Sequence, residues 1–418
     1  MKKLLNLIII TLILGTGMNS FAHDMAGLIQ KTIPSHYIVI NGAGLEDFGF
    51  QEFAAIFGKA RGRDIPVGIG FIVSVLDLTP EAASAKLNRF LSHSQQYDVP
   101  VLVQLDGEQY WRNRPDLWNW WDKDMPGYNP ENRNNVEWTS WYPDSAVKLG
   151  WRNWGNQHRV LPMPNLMSPA YRDAVNTEMK KLITILVNWW RHLPDDQKYL
   201  LVGLKLGWES AIGVNNWYYP NGNSYFDKPV SEDPKYGLSV TKLPDRGVAT
   251  MGYAAVKTAK IAKSGQLTEK MQAEVVRRHL EDWCKLASQL GIPREILFTH
   301  VGSWAQGEYH YSAAVNKYSC PGWSFYKHAA NPLTDTTAMD IVKKNNAPYW
   351  AATEWLFQGE PSQENWSAAL RKTIIEANAR YVCIYNWKYM KTRVGTINAI
   401  KEVSGTTENN PIYRQTKK

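Results

Sequence analysis

Residues 67–105, VGIGFIVSVLDLTPEAASAKLNRFLSHSQQYDVPVLVQL, carry the pattern that decides the fold. Val67–Leu76 is a continuous apolar run without the alternation of a half-exposed strand, so it reads as a strand covered on both faces. Thr79-Pro80 follows as an N-cap with proline at the first helical position, and EAASAKLNRFLSHSQQ then has helical spacing. Val99–Leu105 is a second apolar strand. Strand, helix and strand in this order make a parallel crossover unit.

The same rhythm extends in both directions. Upstream, Tyr37–Asn41 (YIVIN) precedes the helical DFGFQEFAAIFGKA. Downstream, Ser168-Pro169 opens the helix YRDAVNTEMKKLITILVNWWRHL, and Tyr199–Leu206 (YLLVGLKL) is a fourth strand. After the helical QLTEKMQAEVVRRHLEDWCKLASQLG come Ile296–Val301, Trp323–Tyr326, Tyr349–Thr353 and Tyr381–Tyr385, with NWSAALRKTIIEANAR between the last two. Eight apolar strands separated by helical segments predict an α/β fold, a closed (β/α)8 barrel. Long loops follow strands 3 and 4, from Asp106 to about Met167 and from Glu209 to about Gly265, the second with a short helix near GYAAVKTAKIAK. Both leave the C-terminal ends of strands, where barrels build their sites.

The N-terminus MKKLLNLIIITLILGTGMNSFAHD has two lysines, an apolar stretch from Leu4 to Leu14, and Ser20-Phe21-Ala22 at a cleavage position. Residues 1–22 are therefore expected to be a secretory signal peptide and residues 23–418 a single catalytic domain exported to the periplasm or the exterior. No later apolar run approaches about 18 residues, so no membrane span is expected. Three cysteines, Cys284, Cys320 and Cys383, are too few for a disulfide framework and fit buried thiols. The net charge of +8 becomes +6 without Lys2 and Lys3, an excess too small and too dispersed to mark a polyanion partner.

Carboxylates close to apolar strands are costly unless used or paired. Strand ends here carry Asp106 and Glu108 in LDGEQYW, Glu209 in LKLGWES, His300 in FTHVGSW, Glu354 in AATEWLF, and Asn386 and Trp387 in CIYNWKY. Glu209 and Glu354 leave strands 4 and 7, across the barrel mouth from each other. That placement allows the separation of about 5 Å at which one carboxyl protonates a glycosidic oxygen while the other attacks the sugar. No metal-ligand spacing, dinucleotide-binding glycine motif or GxSxG elbow competes, so neither a metal nor a cofactor is expected.

Tryptophan is in excess, 19 residues, and eight of them (111, 118, 120, 121, 138, 141, 151 and 154) fall in the loop after strand 3. Without helical or strand period, that segment is expected to present them to a ligand, with about half of the loop aromatic residues packing the loops down instead. Seven Lys/Arg stand against six Asp/Glu between Trp111 and Arg159, too even for a nucleic-acid groove. Aromatic faces over an oligosaccharide or polysaccharide are the expected use. Trp111, Trp208, Trp304, Trp355 and Trp387, with Asp106, Glu108, His300 and Asn386, are the expected substrate contacts.

The three motifs LKLGWES, AATEWLF and YNWKY resemble those of the clan-A retaining glycoside hydrolases. The resemblance implies a (β/α)8 barrel with Glu209 as acid/base after strand 4, Glu354 as nucleophile after strand 7, and Trp387 as a sugar platform after strand 8. Trp208 stands where that clan usually has Asn. Two other readings remain at this point: an inverting enzyme pairing Glu209 with Asp106 or Glu108, and a glycan-binding barrel without catalysis.

Overall fold

The computed structural model describes residues 33–42, 49–154, 156–213, 216–234, 248–302 and 308–405. The expected signal peptide and Trp304 lie outside them. Eight parallel strands close a barrel: β1 (Tyr37–Asn41), β2 (Val67–Ser74), β3 (Val101–Asp106), β4 (Leu201–Ser210), β5 (Leu297–Val301), β6 (Gly322–Phe325), β7 (Ala351–Trp355) and β8 (Tyr381–Ile384). Each strand pairs with its chain neighbour, and β8 closes on β1 with Tyr37 opposite Tyr381. Every residue of β1, β3, β5 and β8 is buried, which is why these segments read as mainly apolar rather than alternating.

The longer helices wrapping the barrel are α1 (Gly49–Phe57), α2 (Pro80–Tyr97), α3 (Pro169–His192), α4 (Glu269–Gln289), α5 (Thr336–Lys344), α6 (Gln363–Arg371) and α7 (Val394–Val403). Between β5 and β6 a 3-10 helix, Glu308–Ala314, stands in place of an α-helix. The caps work as their residue types require. Thr79 Oγ1 accepts from Ala82 N at 3.2 Å, and Ser168 Oγ accepts from Tyr171 N at 3.4 Å, each ahead of a proline at N1. On α3 the buried face runs Tyr171, Val175, Met179, Leu182, Ile183, Leu186 and Trp190, a helical stripe against the barrel. The three cysteines are free and buried. Among the described residues no helix is long and apolar enough to cross a membrane.

Two expectations are corrected here. β4 and β7 run further than their apolar cores, so Glu209 and Glu354 lie within the strands rather than after them. The loop after β3 is also a packed structure rather than an open aromatic face. It contains an antiparallel hairpin, Gly150–Trp154 with Asn156–Val160, joined edge-on by Asn216–Trp217 from the loop after β4. Of its eight tryptophans, Trp111, Trp118, Trp138 and Trp151 are buried. The indole N–H groups of Trp111, Trp118, Trp120, Trp138 and Trp141 donate to the backbone carbonyls of Pro162, Trp111, Val147, Arg133 and Gly265. A long connection has many carbonyls with no ladder partner, and an indole supplies a large apolar face and a donor together.

Glu137 locks the two long connections to each other. Its buried carboxylate accepts from the backbone N–H groups of Gly252 (3.0 Å), Ala254 (3.2 Å) and Ala255 (3.2 Å), at the start of the short helix Tyr253–Thr258. Glu137→Ala strands these donors at a cost of about 3 kcal/mol. Trypsin cleavage within residues 107–168 and 211–268 should then rise roughly a hundredfold, while far-UV circular dichroism keeps the barrel signal.

Candidate active site

Both strand-end glutamates are re-aimed by irregular pairing. Along β4 and β5, Leu206 pairs with Thr299 and Ser210 with Val301, so four steps of β4 oppose two of β5. Gly207 sits in this bulge at φ +88°, and a Cβ there would come within 2.5 Å of Ser210 Oγ. Glu209 follows in the left-handed region at φ +52°, an uncommon conformation for a side-chain-bearing residue. Along β7 and β6, Ala352 pairs with Trp323 and Glu354 with Ser324, two steps against one. Bulges at a barrel rim redirect side chains, and here each delivers a carboxylate.

Glu209, His300 and Glu354 meet there. Each offers a side-chain polar atom within 4.8 Å of the others. Glu209 Oε1 accepts from Ser324 Oγ at 2.9 Å, and the Tyr326 hydroxyl donates to Glu354 Oε1. His300 Nε2 lies 2.8 Å from Ser324 Oγ and His300 Nδ1 2.8 Å from Lys205 Nζ. With both ring nitrogens engaged and an ammonium beside one of them, His300 belongs to a hydrogen-bonded network rather than a metal ligand set.

Burial raises the carboxyl of Glu209 to about 8, and the charge of Glu354 adds to the rise; the bond from Ser324 and the charge of Lys205 oppose it. Glu354 is raised too, by burial, and is drawn back by Lys205 and by the side chains of Tyr326 and Trp208. His300 is pushed far below its ordinary range by burial and then by Lys205, so its imidazole is neutral.

A cavity of about 440 Å³ is lined by Trp208, the neighbour of Glu209 on β4, together with Asn41, Ile72, Ser74, Tyr110, Asn386, Trp387 and neighbouring residues. Trp208 stacks on Trp154 with ring centres 5.0 Å apart and planes 23° from parallel. The buried guanidinium of Arg152 lies 4.8 Å from the Trp154 ring and 5.6 Å from that of Tyr110. Its Nε donates to Asn216 Oδ1 and its Nη1 to the carbonyl of Gln109, both at 3.1 Å, which fixes the hairpin over the barrel mouth. Trp387 packs on Phe53 and donates its N–H to Glu52 of α1 at 3.3 Å. Asn386 accepts from Tyr389 N at 3.2 Å, capping a short helix.

Of the expected site residues, Glu209, Glu354 and His300 come together, and Trp208, Asn386 and Trp387 line the cavity. Four do not. Asp106 is fully buried and accepts from Glu108 N (3.3 Å) and Gln109 N (2.9 Å), so it anchors the turn after β3. Glu108 turns outward to His279 of α4, at 3.3 Å. Trp111 packs against Tyr171 of α3. Trp355 follows inward-facing Glu354, so strand alternation sends it outward against Trp366 of α6. Sequence reading missed Lys205, Ser324, Tyr326 and Arg152, and named Trp154 only as one of the eight loop tryptophans. Lys205 had a signal, being a charge inside the otherwise apolar run Tyr199–Leu206. Ser324 and Tyr326 alternate in WSFY, but the hairpin pair had no legible period.

No protein-family model and no curated protein matches the chain. Solved structures give distant superpositions. A glycoside hydrolase family 5 enzyme from Prevotella bryantii B14 is 11% identical, covers 90% of this chain and 98% of its own, and has a TM-score of 0.42. A beta-galactosidase from the psychrophilic Marinomonas ef1 is 9% identical over 84% of this chain and 54% of its own, at 0.44. A D-psicose 3-epimerase from Clostridium cellulolyticum H10 is 9% identical over 90% and 91%, at 0.37. The barrel assignment rests on the strand pairing, and the functional reading on the side chains.

In the folded chain Glu209 keeps its proton up to about pH 8, whereas an unfolded glutamate releases it near 4.5. The folded state therefore binds more protons between those values, and stability falls as pH rises through the window. Urea midpoints of Glu209→Gln measured from about pH 5 to 8 should decline less than those of the wild type, leaving the variant the more stable at the upper end.

Proposed function

We propose that this protein is an exported glycoside hydrolase that cleaves a β-linked oligo- or polysaccharide with retention of configuration. The observation that carries the reading is the carboxylate pair: Glu209 from β4 and Glu354 from β7, with polar atoms within 4.8 Å across the barrel mouth. Retaining enzymes hold their carboxyl groups about 5–5.5 Å apart, and inverting enzymes separate them further to admit a water. Asp106 and Glu108 would have to serve the inverting scheme, but Asp106 accepts from the backbone N–H groups of the turn after β3 and Glu108 is turned to His279.

In this mechanism Glu209, the carboxyl pushed up to about 8, gives its proton to the leaving glycosidic oxygen. Glu354, which accepts from the Tyr326 hydroxyl and faces the charge of Lys205, both opposing the effect of its burial, attacks the anomeric carbon as the carboxylate and forms a glycosyl ester. Glu209, now a carboxylate, takes a proton from water, which displaces the ester. Tyr110, Trp208 and Trp387 supply flat apolar faces for the sugar rings, while Asn41, Ser74 and Asn386 supply hydrogen bonds to hydroxyls.

A panel of aryl glycosides and β-glucans, with proton NMR of the first-formed anomer, tests this reading. Retained configuration is expected. Glu354→Gln should abolish turnover of every substrate with the fold intact. Glu209→Gln should lose about 10²–10⁴-fold on natural linkages, and far less on aryl glycosides whose leaving group needs no proton. Binding without release of reducing ends would instead make the barrel a glycan receptor.

A further inference from the structure

The barrel interior holds one buried positive charge that the proposed reaction uses only as a field. Lys205 is 1% exposed and points from the middle of β4 to His300 of β5. The contact continues through Ser324 of β6 to Glu209, in steps of 2.8, 2.8 and 2.9 Å, all between buried atoms. We propose that Lys205, His300 and Ser324 form a one-way hydrogen-bond chain that keeps Glu209 Oε1 an acceptor and confines the transferable proton to Oε2. They are positioning residues, and the proposal rests on Glu209 being the acid/base.

The direction follows from donor and acceptor counting. Burial lowers the pKa of Lys205, while Cys383, Glu354 and Glu209 act to raise it. As an ammonium beside two carboxyl groups Lys205 has protons to give and no lone pair, and His300 Nδ1 accepts from Nζ. The neutral ring then carries its single proton on Nε2 and donates it to Ser324 Oγ. Ser324 has one proton of its own, and the contact left for it is Glu209 Oε1. A proton on that oxygen would face another proton, so the acidic proton of Glu209 is left with Oε2. A carboxyl free to hold its proton on either oxygen would spend part of its time misdirected, and the chain removes that ambiguity.

The groups facing Glu209 come from several elements: Lys205 on its own strand, His300 on β5, Ser324 on β6, Tyr326 beyond it, Glu354 on β7, and Arg152 and Trp154 on the hairpin. Cys383 of β8 lies beside Lys205. Lys205 acts on both carboxylates through space, but the Ser324 hydroxyl touches Glu209 alone. Removing one or the other therefore leaves different marks on a bell-shaped pH profile, in which Glu354 sets the acidic limb and Glu209 the basic limb.

The test compares Ser324→Ala, Ser324→Thr and Lys205→Met in the full chain. Loss of the serine hydroxyl should raise the basic limb of kcat/KM by about one pH unit, since a bond to a charged group is worth roughly that much, with the acidic limb in place. Ser324→Thr, which keeps the hydroxyl, should restore the wild-type profile, and Lys205→Met should move both limbs upward. Nitrogen-15 NMR should find the His300 proton on Nε2. A proton on Nδ1, or a Ser324→Ala profile that is unchanged or displaced as a whole, would overturn the chain. If no glycoside is hydrolysed, the functional reading fails by itself. The chain is then judged by carbon-13 carboxyl titration of Glu209, whose resonance is identified by its loss in Glu209→Gln. There the Ser324→Ala midpoint must rise for the chain to stand.

Discussion

Two carboxyl groups within 4.8 Å, each only 5% exposed, are the constraint to which the rest of this site answers. If both were ionised at that distance they would repel by roughly 3 kcal/mol at an effective dielectric near 20, before any desolvation cost. The fold meets this in two ways. One carboxyl keeps a proton, and the pushed-up Glu209 is the one placed to do so. The other is given what an anion needs: the Tyr326 hydroxyl and the charge of Lys205. A buried lysine would be unfavourable with no anion nearby, and a buried acid pair unfavourable with no cation, so each makes the other tolerable.

The barrel supplies the second requirement, that these groups arrive on convergent strands. Neither carboxylate would reach the mouth if its strand ran in regular register. On β4 the extra residues, with Gly207 and Glu209 at positive φ, turn the chain inward, and on β7 one extra residue does the same for Glu354. Backbone strain of this kind concentrates where function over-determines geometry. Here it coincides with the only two acids from opposite strands that come together among the described residues.

These same departures mark where the sequence stopped being legible. All eight strands were readable, because strands covered on both faces are mostly apolar, and the caps at Thr79 and Ser168 marked two helix starts. Glu209, Glu354 and Trp387 could be placed near the barrel mouth because the C-terminal part of a strand is a fixed address in a barrel. The bulges were not, since a bulge is a relation between two strands and neither sequence records it alone. Asp106 and Glu108 misled for a related reason. A carboxylate after a strand also anchors the following turn, and only the direction of the chain at Gly107 separates the two uses. Trp355 was misassigned by one step of strand alternation.

The tryptophan-rich segment required the largest revision, and its structure links the loop to the chemistry. Four of its indoles are buried, and five hold loop carbonyls, which makes the excursion after β3 a small folded layer rather than a binding face. That rigidity has a purpose at one point. Trp154, at the end of the hairpin, stacks on Trp208 beside Glu209, and Arg152 from the same strand holds it there while binding the turn after β3. The side chain of Trp154 also reaches Glu209, as that of Trp208 reaches Glu354. A mobile loop could place an aromatic ring over a sugar but could not hold an N–H at fixed distance from a buried carboxyl. The buried tryptophans and the Glu209–Glu354 pair are therefore connected through a single stack, and packing in the excursion sets the surroundings of Glu209.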